Sequence, residues 1–525
     1  MGTAVAQKPK LSLIRPRTAQ TARNLRPAAW FVGIGAALVL SRWALAPRYL
    51  VSFDEINFAF AIDHFNPVLH QPQPPGYPLF VGLLKLLSLL IPKVETVFLA
   101  AAILTSAASL FVVWKLCESI AGPGRGLPGV LLLLFHPVFW LSALANPVRL
   151  SLAFGTSLVV FCAWKACREN STRWLPMMAA ALGLAIGFRP ALIIVLTPLL
   201  LWTVMRVDAS WKVYALSLLC FCAALATWLP ALLAASRGWR MYLSAMGGYS
   251  DSEFTATSLL FGATLPAAMK MAGNAVVWSC LGVLSWVWAV PFAVRNAHPP
   301  TDSFRVQFLA LWFVPGLLFY AIFHVGDPDH TLSIVPATCV IGAVVLAAVA
   351  RNISRPKAAL VIFVCVLLNV VFFFKPISKT ARASSYKSVR WMDAYATSVI
   401  DGVRSMERDG PFTAVFHASM PAWRLISYYE PRTHLMILGT AAGRPATVRS
   451  IVGNQMLGQT SVAPNATFPV CGSFVTIDPL LRPPLGVATV WESPYPRLFF
   501  ARSIPAQPFD FHDVRLISEA EGCPR

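Results

Sequence analysis

The feature that most constrains the fold is a series of apolar segments long enough to cross a lipid bilayer. A spanning helix needs about 20 mostly apolar residues. Only 13% of the residues are charged, about half the share found in soluble proteins, so lipid must cover much of the surface. We predict an all-α polytopic membrane domain of about eleven transmembrane helices. The predicted spans lie near residues 28–46, 94–114, 127–145, 147–167, 174–188, 190–205, 212–235, 271–293, 305–323, 331–350 and 358–374.

A further apolar stretch, Pro78–Pro92, has only 15 residues and contains Lys85. We expect a juxtamembrane or half-inserted helix there. The distribution of basic residues tests this choice, because cytoplasmic loops are rich in Lys and Arg. With this stretch left out of the spans, the inner loops hold 12 Lys and Arg in about 46 residues, and the outer loops hold 8 in about 97. The pattern predicts an N-terminus inside and a C-terminal region outside, in the periplasm of a bacterial cell.

The chain is predicted to have three parts. Residues 1–27 carry six basic residues and no acid, which is typical of a cytoplasmic segment. The apolar run that follows is too long for the core of a signal peptide, so we expect an uncleaved first span. Residues 28–375 form the predicted transmembrane catalytic domain, with a long first outer loop at 47–93. Residues 376–525 are predicted to form a C-terminal domain in the periplasm, so that the chain is a protein of the bacterial inner membrane.

This C-terminal region is less hydrophobic than the spans and reads as a small α/β domain, large enough for its own core. Three runs have the composition of strands, namely Phe412–His417, Arg424–Tyr429 and Phe474–Ile477. Cys471 and Cys523 are the two cysteines of this region. In an oxidising compartment such a pair can form a disulfide, and we leave both states open.

Charge and cysteine usage exclude some function classes. The net charge is +20, but the basic residues occur singly between apolar spans, so we expect no nucleic-acid partner. The ten cysteines form no CxxC motif and no Cys/His cluster with zinc spacing. The expected partners are therefore the lipid bilayer and molecules that reach its surface.

Acidic residues near the predicted span ends are the first functional candidates, because carboxylates are costly close to hydrocarbon. Residues 1–375 contain 12 acids. Eight of them fall on the outer side of the predicted topology, namely Asp54, Glu55, Asp63, Glu95, Asp251, Glu253, Asp327 and Asp329. The adjacent pair Asp54 and Glu55 can supply a general base or a metal ligand. The alternative is the solvated start of a loop.

Downstream in the same loop, the sequence from His70 to Pro78 reads HQPQPPGYP. Its prolines fix the backbone φ angle, and the stretch offers few hydrogen-bonded turns. We expect a rigid outer loop that presents His70 and Tyr77, and these two side chains are candidates for donor binding. A simple entry turn into the next helix is the alternative.

An Asp-Glu pair after the first span, followed by this proline-rich motif, resembles the bacterial GT-C-fold glycosyltransferases, a superfamily that includes protein O-mannosyltransferases and lipid A aminoarabinose transferases. The resemblance covers the architecture of residues 1–375. It implies a polyprenyl-phosphate-linked sugar as donor, and a glycan, lipid or protein as acceptor. It also implies that Asp54 is the catalytic carboxylate, which deprotonates or orients the acceptor, with Glu55 as its neighbour.

The resemblance draws attention to Arg149 and Arg189 at later outer span ends. A phosphate-bearing donor needs cations, and the guanidinium group offers a bidentate fit. The alternative for each is an arginine that reaches lipid headgroups. Relatives often have an acid where Leu152 stands, which puts a second carboxylate on this segment in doubt.

The loop with Asp327, Asp329 and His330 is dense in titratable groups. His330 could bind the donor phosphate, or bind a metal together with Asp329. Both residues are metal candidates, and the cofactor is left open, with a divalent metal as one option. A proline-containing turn with a capping aspartate is the alternative.

Taken together, these features predict a membrane glycosyltransferase that moves a sugar from a polyprenyl-phosphate donor to an acceptor on the periplasmic side, with a loop carboxylate as acid or base. The first alternative is a transporter or flippase, which predicts charges at mid-span and helices broken at repeated positions. The second is an assembly subunit without catalysis. The sequence leaves the sugar, the acceptor and the lipid chain length open.

Overall fold

The computed structural model describes most of the chain with gaps that lie mainly in the last hundred residues. The described residues are 18–255, 257–295, 302–323, 325–418, 420, 422–439, 445–463, 466–471, 473–478, 487–494, 497–504, 507–511 and 514–519.

Within these ranges the first part of the chain is helical and the last part combines helices with strands. The helices are α1 Thr18–Trp43, α2 Phe53–Asp63, α3 Pro78–Ser88, α4 Val94–Ile120, α5 Gly126–Leu134, α6 Pro137–Ala145, α7 Leu150–Glu169, α8 Trp174–Phe188, α9 Leu192–Arg206, α10 Trp211–Ala226, α11 Leu229–Ala235, α12 Trp239–Phe254, α13 Leu265–Cys280, α14 Val290–Arg295, α15 Ser303–Ile322, α16 Val335–Ala350, α17 Arg355–Phe374, α18 Lys379–Arg382, α19 Tyr386–Glu407 and α20 Ala422–Tyr429. The strands are β1 Thr413–His417, β2 His434–Gly439, β3 Ala446–Val452, β4 Gln455–Val462, β5 Thr467–Cys471, β6 Phe474–Asp478, β7 Val487–Pro494, β8 Arg497–Ser503, β9 Phe509–Phe511 and β10 Val514–Glu519.

Several helices have the length and composition of membrane spans. Among the described residues, six helical stretches are both long enough and apolar enough to cross a membrane: Val94–Ile120, Pro147–Glu169, Trp211–Ala235, Leu265–Ser285, Ser303–Ile322 and Arg355–Phe374. Five apolar helices are shorter: Trp30–Trp43, Pro78–Ser88, Trp174–Phe188, Leu192–Arg206 and Val335–Ala350. The fold is therefore mostly helical with several apolar helices, as the sequence predicts, while the number of eleven spans stays a prediction.

The predicted span 127–145 is not one straight helix. It consists of α5 and α6, which are bent by 52° at a short break before Pro137. A break frees backbone carbonyls, which are costly in a lipid environment. Two carbonyls in the last turns of α5 accept hydrogen bonds, at 2.8 Å from Arg42 and at 3.4 Å from Asn369. Side chains from two other helices thus stabilise the bend.

The C-terminal region contains a mixed sheet. Its described strands run in the order β4-β3-β2-β1-β6-β8-β7, with β1 parallel to both β2 and β6. A separate three-stranded sheet has the order β5-β10-β9. The strand prediction for Arg424–Tyr429 is wrong, because this run lies in α20, where its apolar residues fall on one face of a helix. Cys523 lies outside the described residues, so the disulfide stays a prediction.

One apolar core joins helices α2 and α3, within residues 47–93, to the C-terminal region. Phe58 of α2 and Phe80 of α3 belong to the same buried cluster as Ile400 of α19 and Leu425 of α20. These side chains are almost fully removed from solvent, so their burial stabilises both parts at once. The division of the chain at residue 376 stays a prediction.

Candidate active site

The acidic pair lies in the first turn of α2 and not in a loop, which corrects the sequence prediction. Ser52 caps this helix, since its hydroxyl accepts a hydrogen bond from the backbone N–H of Glu55 at 3.1 Å. The carboxylate of Glu55 accepts in return from the N–H of Ser52. This reciprocal arrangement is a capping box, and the Ser-x-x-Glu spacing is its sequence signature.

The two carboxylates lie in different environments. Glu55 is 3% exposed, and its Oε2 accepts hydrogen bonds from the backbone N–H groups of Val51 and Ser52 at 2.9 and 3.1 Å. Burial raises the pKa of Glu55 to about 8, although these hydrogen bonds oppose the shift. The Asp54 side chain keeps 22% of its surface exposed. Asp54 is therefore the carboxylate that a substrate can reach.

Arg149 connects three distant segments around Asp54. Its Nη2 donates a hydrogen bond to Oδ2 of Asp54 at 2.9 Å. Its Nη1 donates to the hydroxyl of Tyr77 at 3.4 Å, and its Nε lies 3.8 Å from Oδ1 of Asp329. The arginine is only 5% exposed, so these contacts lie in a medium where charge pairing is strong. Asp54, Tyr77, Arg149 and Asp329 thus form a single cluster.

Local structure explains how Arg149 enters this cluster. After α6 ends at Ala145, the turn Pro147–Arg149 is a short 3-10 helix that leads into α7. Leu152, one turn further along, is buried in the main apolar core, so α7 supplies no second carboxylate at that position. Asp329 supplies one instead, from the 3-10 helix Pro328–Ser333 that packs against α7.

Asp327, Asp329 and His330 could hold a metal ion. One ligand atom from each lies within 4.8 Å of the other two. Oδ1 of Asp329 is buried and accepts no hydrogen bond from the described atoms, which suits an oxygen that coordinates a cation. Burial raises the pKa of Asp329, the neighbouring acids raise it further, and Arg149 opposes the shift. The sequence predicted Asp329 and His330, and the structure adds Asp327.

The rigid turn before Tyr77 depends on a glycine. Gly76 has a φ angle of +93°, and a Cβ at this position would lie 2.7 Å from a side-chain carbon of Leu232. The hydroxyl of Tyr242 donates a hydrogen bond to the carbonyl of Pro75 at 3.3 Å. These contacts fix the loop so that the Tyr77 ring faces Arg149.

Two of the predicted donor-binding residues, His70 and Arg189, are not joined to this cluster by a described hydrogen bond or ion pair. The ring of His70 contacts that of Tyr249, at 6.0 Å between centroids. Arg189 directly follows α8, and its buried Nη1 has no hydrogen-bond partner among the described residues. The described hydrogen bonds and ion pairs do not connect either residue to Asp54, so their roles in donor binding stay predictions.

The sequence analysis missed a contribution from the C-terminal region. Nε of Arg424 donates a hydrogen bond to Oδ1 of Asn57 at 2.7 Å, and its Nη2 donates to the carbonyl of His70 at 3.4 Å. The side-chain amide of Asn57 in turn donates to Gln73 at 3.3 Å. Arg424 thereby supports both the helix of Asp54 and the proline-rich loop. A lone arginine in a predicted strand gave no signal of this role.

Comparison with known proteins supports the resemblance seen in the first outer loop. A family model described as the protein O-mannosyl-transferase TMEM260 N-terminal domain matches residues 66–213, a stretch that includes Tyr77, Arg149 and Arg189. No curated protein matches the chain significantly in sequence.

Two solved structures share the fold. ArnT from Cupriavidus metallidurans bound to undecaprenyl phosphate has a TM-score of 0.57 and 14% identity, and the match covers 91% of this chain and 98% of that chain. The apo state has a TM-score of 0.56 and 13% identity, and the match covers 93% and 98%. The predicted resemblance to GT-C-fold glycosyltransferases is confirmed, and at this identity the likeness establishes the fold alone.

Proposed function

We propose that this GT-C-fold membrane protein transfers a sugar from a polyprenyl-phosphate donor to an acceptor on the periplasmic side of the inner membrane. The observation that carries the proposal is the Asp54–Arg149 ion pair, which joins α2 to the turn Pro147–Arg149 and leaves part of the Asp54 carboxylate open to solvent. The donor class is proposed because ArnT, which shares the fold, binds undecaprenyl phosphate in its solved complex.

The proposed reaction is a single displacement at the anomeric carbon. The acceptor hydroxyl oxygen attacks this carbon, its proton passes to the carboxylate of Asp54, and the bond from the carbon to the phosphate oxygen breaks. Polyprenyl phosphate leaves with the electron pair of that bond, so the anomeric centre inverts. Arg149 orients Asp54 through the 2.9 Å hydrogen bond, and its charge also favours the developing negative charge on the phosphate.

Other side chains have proposed roles in holding the donor. Tyr77 lies beside Arg149, while Arg189, with its unpaired Nη1, and His70 would bind phosphate or sugar oxygens after the donor enters. His330 would bind the phosphate or a metal. These assignments follow from the chemistry and position of the side chains, and each can be tested by mutation.

A divalent cation fits the residues around Asp329. Three carboxylates, from Asp54, Asp327 and Asp329, lie near one arginine, so without a further cation their repulsion opposes the approach of a phosphate. Oxygen and imidazole ligands together suit a divalent transition metal. Bound by Asp327, Asp329 and His330, such an ion would supply positive charge for the leaving phosphate.

The proposed topology places this site outside the cell's interior. The N-terminal segment 1–27 would be cytoplasmic, eleven spans would follow within 28–375, and 376–525 would form a periplasmic domain of a bacterial inner-membrane protein. This arrangement follows from the bias of basic residues toward one set of loops. It puts the cluster at the end of the spans where a membrane-bound donor presents its phosphate.

The transporter alternative receives less support. It predicts broken helices at repeated positions, whereas the one bent helix pair found in the described chain is α5 and α6. The acids of the cluster lie in α2 and in the 3-10 helix Pro328–Ser333, which are not among the candidate spans.

The deciding experiment uses the full-length protein in lipid vesicles, with a panel of radiolabelled polyprenyl-phosphate pentoses and hexoses and an extract of cell-envelope acceptors. We expect one donor to yield a labelled product with the wild-type protein and almost none with Asp54→Asn. Movement of labelled donor across the bilayer without product, equal in both proteins, would establish a flippase instead. Absence of product across the whole panel would reject the proposed donor class.

A further inference from the structure

A cleft of about 320 Å³ lies where the C-terminal region leaves the last span. It is formed by α18 and the first two turns of α19. We call it the basic cleft, and its lining residues are Lys379, Arg382, Ala383, Lys387, Ser388 and Trp391. None of these residues belongs to the cluster around Asp54, so the proposed reaction does not explain them.

All the charged residues that line the basic cleft are positively charged. Lys379, Arg382 and Lys387 line it, and no acid does. All three are exposed, and the ion pairs of the described residues do not include them. Three cations around one cavity repel each other, so an anion between them would relieve an unfavourable arrangement. The positive end of the 22-residue helix α19 adds to the same field.

The basic cleft is a fixed part of the fold. The indole N–H of Trp278 in α13 donates a hydrogen bond to the carbonyl of Thr380 at 3.0 Å. Ser378 caps α18 by accepting from the N–H of Ala381 at 3.0 Å. Ala383 packs against the buried cluster around Trp278. The cations therefore sit on a backbone held by the spanning helices, which reduces the entropy lost when a ligand binds.

The position of the basic cleft indicates where its ligand comes from. Lys379 follows the end of α17 at Phe374 by only five residues, so the cleft lies at membrane level. Trp391 is 43% exposed, and exposed tryptophans are typical of the membrane–water interface. The aliphatic side chain of Ile377, between α17 and α18, is 56% exposed. A lipid headgroup reaches this level without leaving the bilayer.

We propose that the basic cleft binds the phosphate headgroup of an anionic membrane lipid, with Lys379, Arg382 and Lys387 as its ligands and Trp391 at the boundary with the acyl chains. Each basic residue near an anionic membrane surface contributes about fivefold to binding, and three contribute about 100-fold. The inference stands without the glycosyl-transfer reaction, because it concerns binding alone.

The test is native mass spectrometry of the full-length protein in detergent, titrated with phosphatidylglycerol or phosphatidylcholine. We expect the triple variant Lys379→Ala, Arg382→Ala, Lys387→Ala to bind the first phosphatidylglycerol about 100-fold more weakly than wild type, with phosphatidylcholine binding unchanged. The matched control is Arg390→Ala, Arg408→Ala, Arg432→Ala, which removes the same charge from exposed positions outside the cleft and should bind like wild type.

Two further binding measurements complete the test. The single variant Lys387→Glu reverses one charge, should also weaken phosphatidylglycerol binding, and guards against misfolding of the triple variant. Inorganic phosphate at constant ionic strength should not displace the lipid, and displacement at millimolar phosphate would identify a free-phosphate site and overturn the lipid assignment. Equal phosphatidylglycerol affinity in the cleft and control variants would overturn the proposal entirely.

Discussion

Arg424 of the C-terminal region donates a 2.7 Å hydrogen bond to Asn57, one turn along the helix whose first turn carries Asp54. The same guanidinium lies 4.5 Å from the centroid of the Phe60 ring. Contacts on one helix from a segment so distant in sequence fix the orientation of that helix, and with it the direction of the Asp54 carboxylate.

Arg424→Ala should therefore lower kcat without abolishing donor binding, because its hydrogen bond to His70 is to the backbone carbonyl and Arg424 contacts no group of the Asp54–Arg149 cluster. Arg424→Lys should recover only part of the rate, since Lys lacks the planar fork. A double-mutant cycle with Asn57→Ala should give a coupling energy of about 0.5–3 kcal/mol in unfolding. The exposed Arg432→Ala is the control. Additive effects at Arg424 and Asn57 would show that the hydrogen bond positions nothing.

Asp54→Asn should reduce turnover by about 10²–10⁴-fold, the usual contribution of a general base. The substitution keeps the size of the side chain but removes its negative charge and basicity. Donor binding should survive, which a competition assay with unlabelled donor can measure. Asp63→Asn, at the exposed end of the same helix, should leave the rate unchanged. Near-normal turnover in Asp54→Asn would contradict the proposed mechanism.

Glu55→Gln should be nearly as active as wild type. Burial raises the pKa of Glu55 to about 8, so its carboxyl is mostly protonated at neutral pH, and a neutral amide oxygen can still accept from the N–H groups of Val51 and Ser52. Glu55→Ala loses this contact and should destabilise the helix start by about 1 kcal/mol, measured by thermal unfolding. If Glu55→Gln lost as much turnover as Asp54→Asn is expected to lose, Glu55 rather than Asp54 would be assigned the role of general base.

Arg189→Ala should raise the KM for the donor by about 10- to 150-fold, the cost of losing a charge-assisted contact of about 1.5–3 kcal/mol. Arg149→Ala should raise the KM and also lower kcat, because Asp54 and Asp329 then lose their shared cation. Arg→Lys at either position should restore part of the loss. The exposed Arg240→Ala serves as control. An unchanged donor KM in both Ala variants would identify the two arginines as structural.

Removal of divalent cations with a chelator should reduce activity, and re-addition of one metal should restore it. Asp329→Asn should weaken metal binding by at least tenfold, as measured by titration calorimetry on the purified protein. Because burial raises the pKa of Asp329, protons compete with the metal near neutral pH, so affinity should rise as the pH increases. Full activity after exhaustive chelation would exclude a catalytic metal.

The general architecture could be predicted from the sequence because apolar length is a strong local signal. Pro137 shows where that signal fails, since a run with the composition of one span hides a 52° bend, which tertiary contacts with Arg42 and Asn369 stabilise. The run Arg424–Tyr429 shows a second failure, because short aromatic runs fit a strand and a helix equally well.

The candidate site was predictable only in part. Asp54, Tyr77, Arg149 and Asp329 each stood out as polar groups near predicted span ends, but no spacing rule shows that they meet. The capping role of Glu55 was readable from Ser52 three residues earlier and was overlooked. Arg424 could not be found, because its partner Asn57 lies 367 positions away and carries no distinctive motif.

The apolar core that helices α2 and α3 share with the C-terminal region has a consequence for the order in which the chain can fold during synthesis. The contacts that complete the surroundings of Asp54 come from residues made some 340 to 380 positions later, such as Asp393, Arg424 and Tyr429. During synthesis the early helices are therefore made before the contacts around Asp54 can form. Under the proposed function and topology, activity would begin only after the last span has carried the C-terminal region to the outer side. An interrupted or wrongly oriented chain would therefore be inactive toward the proposed lipid-linked sugars.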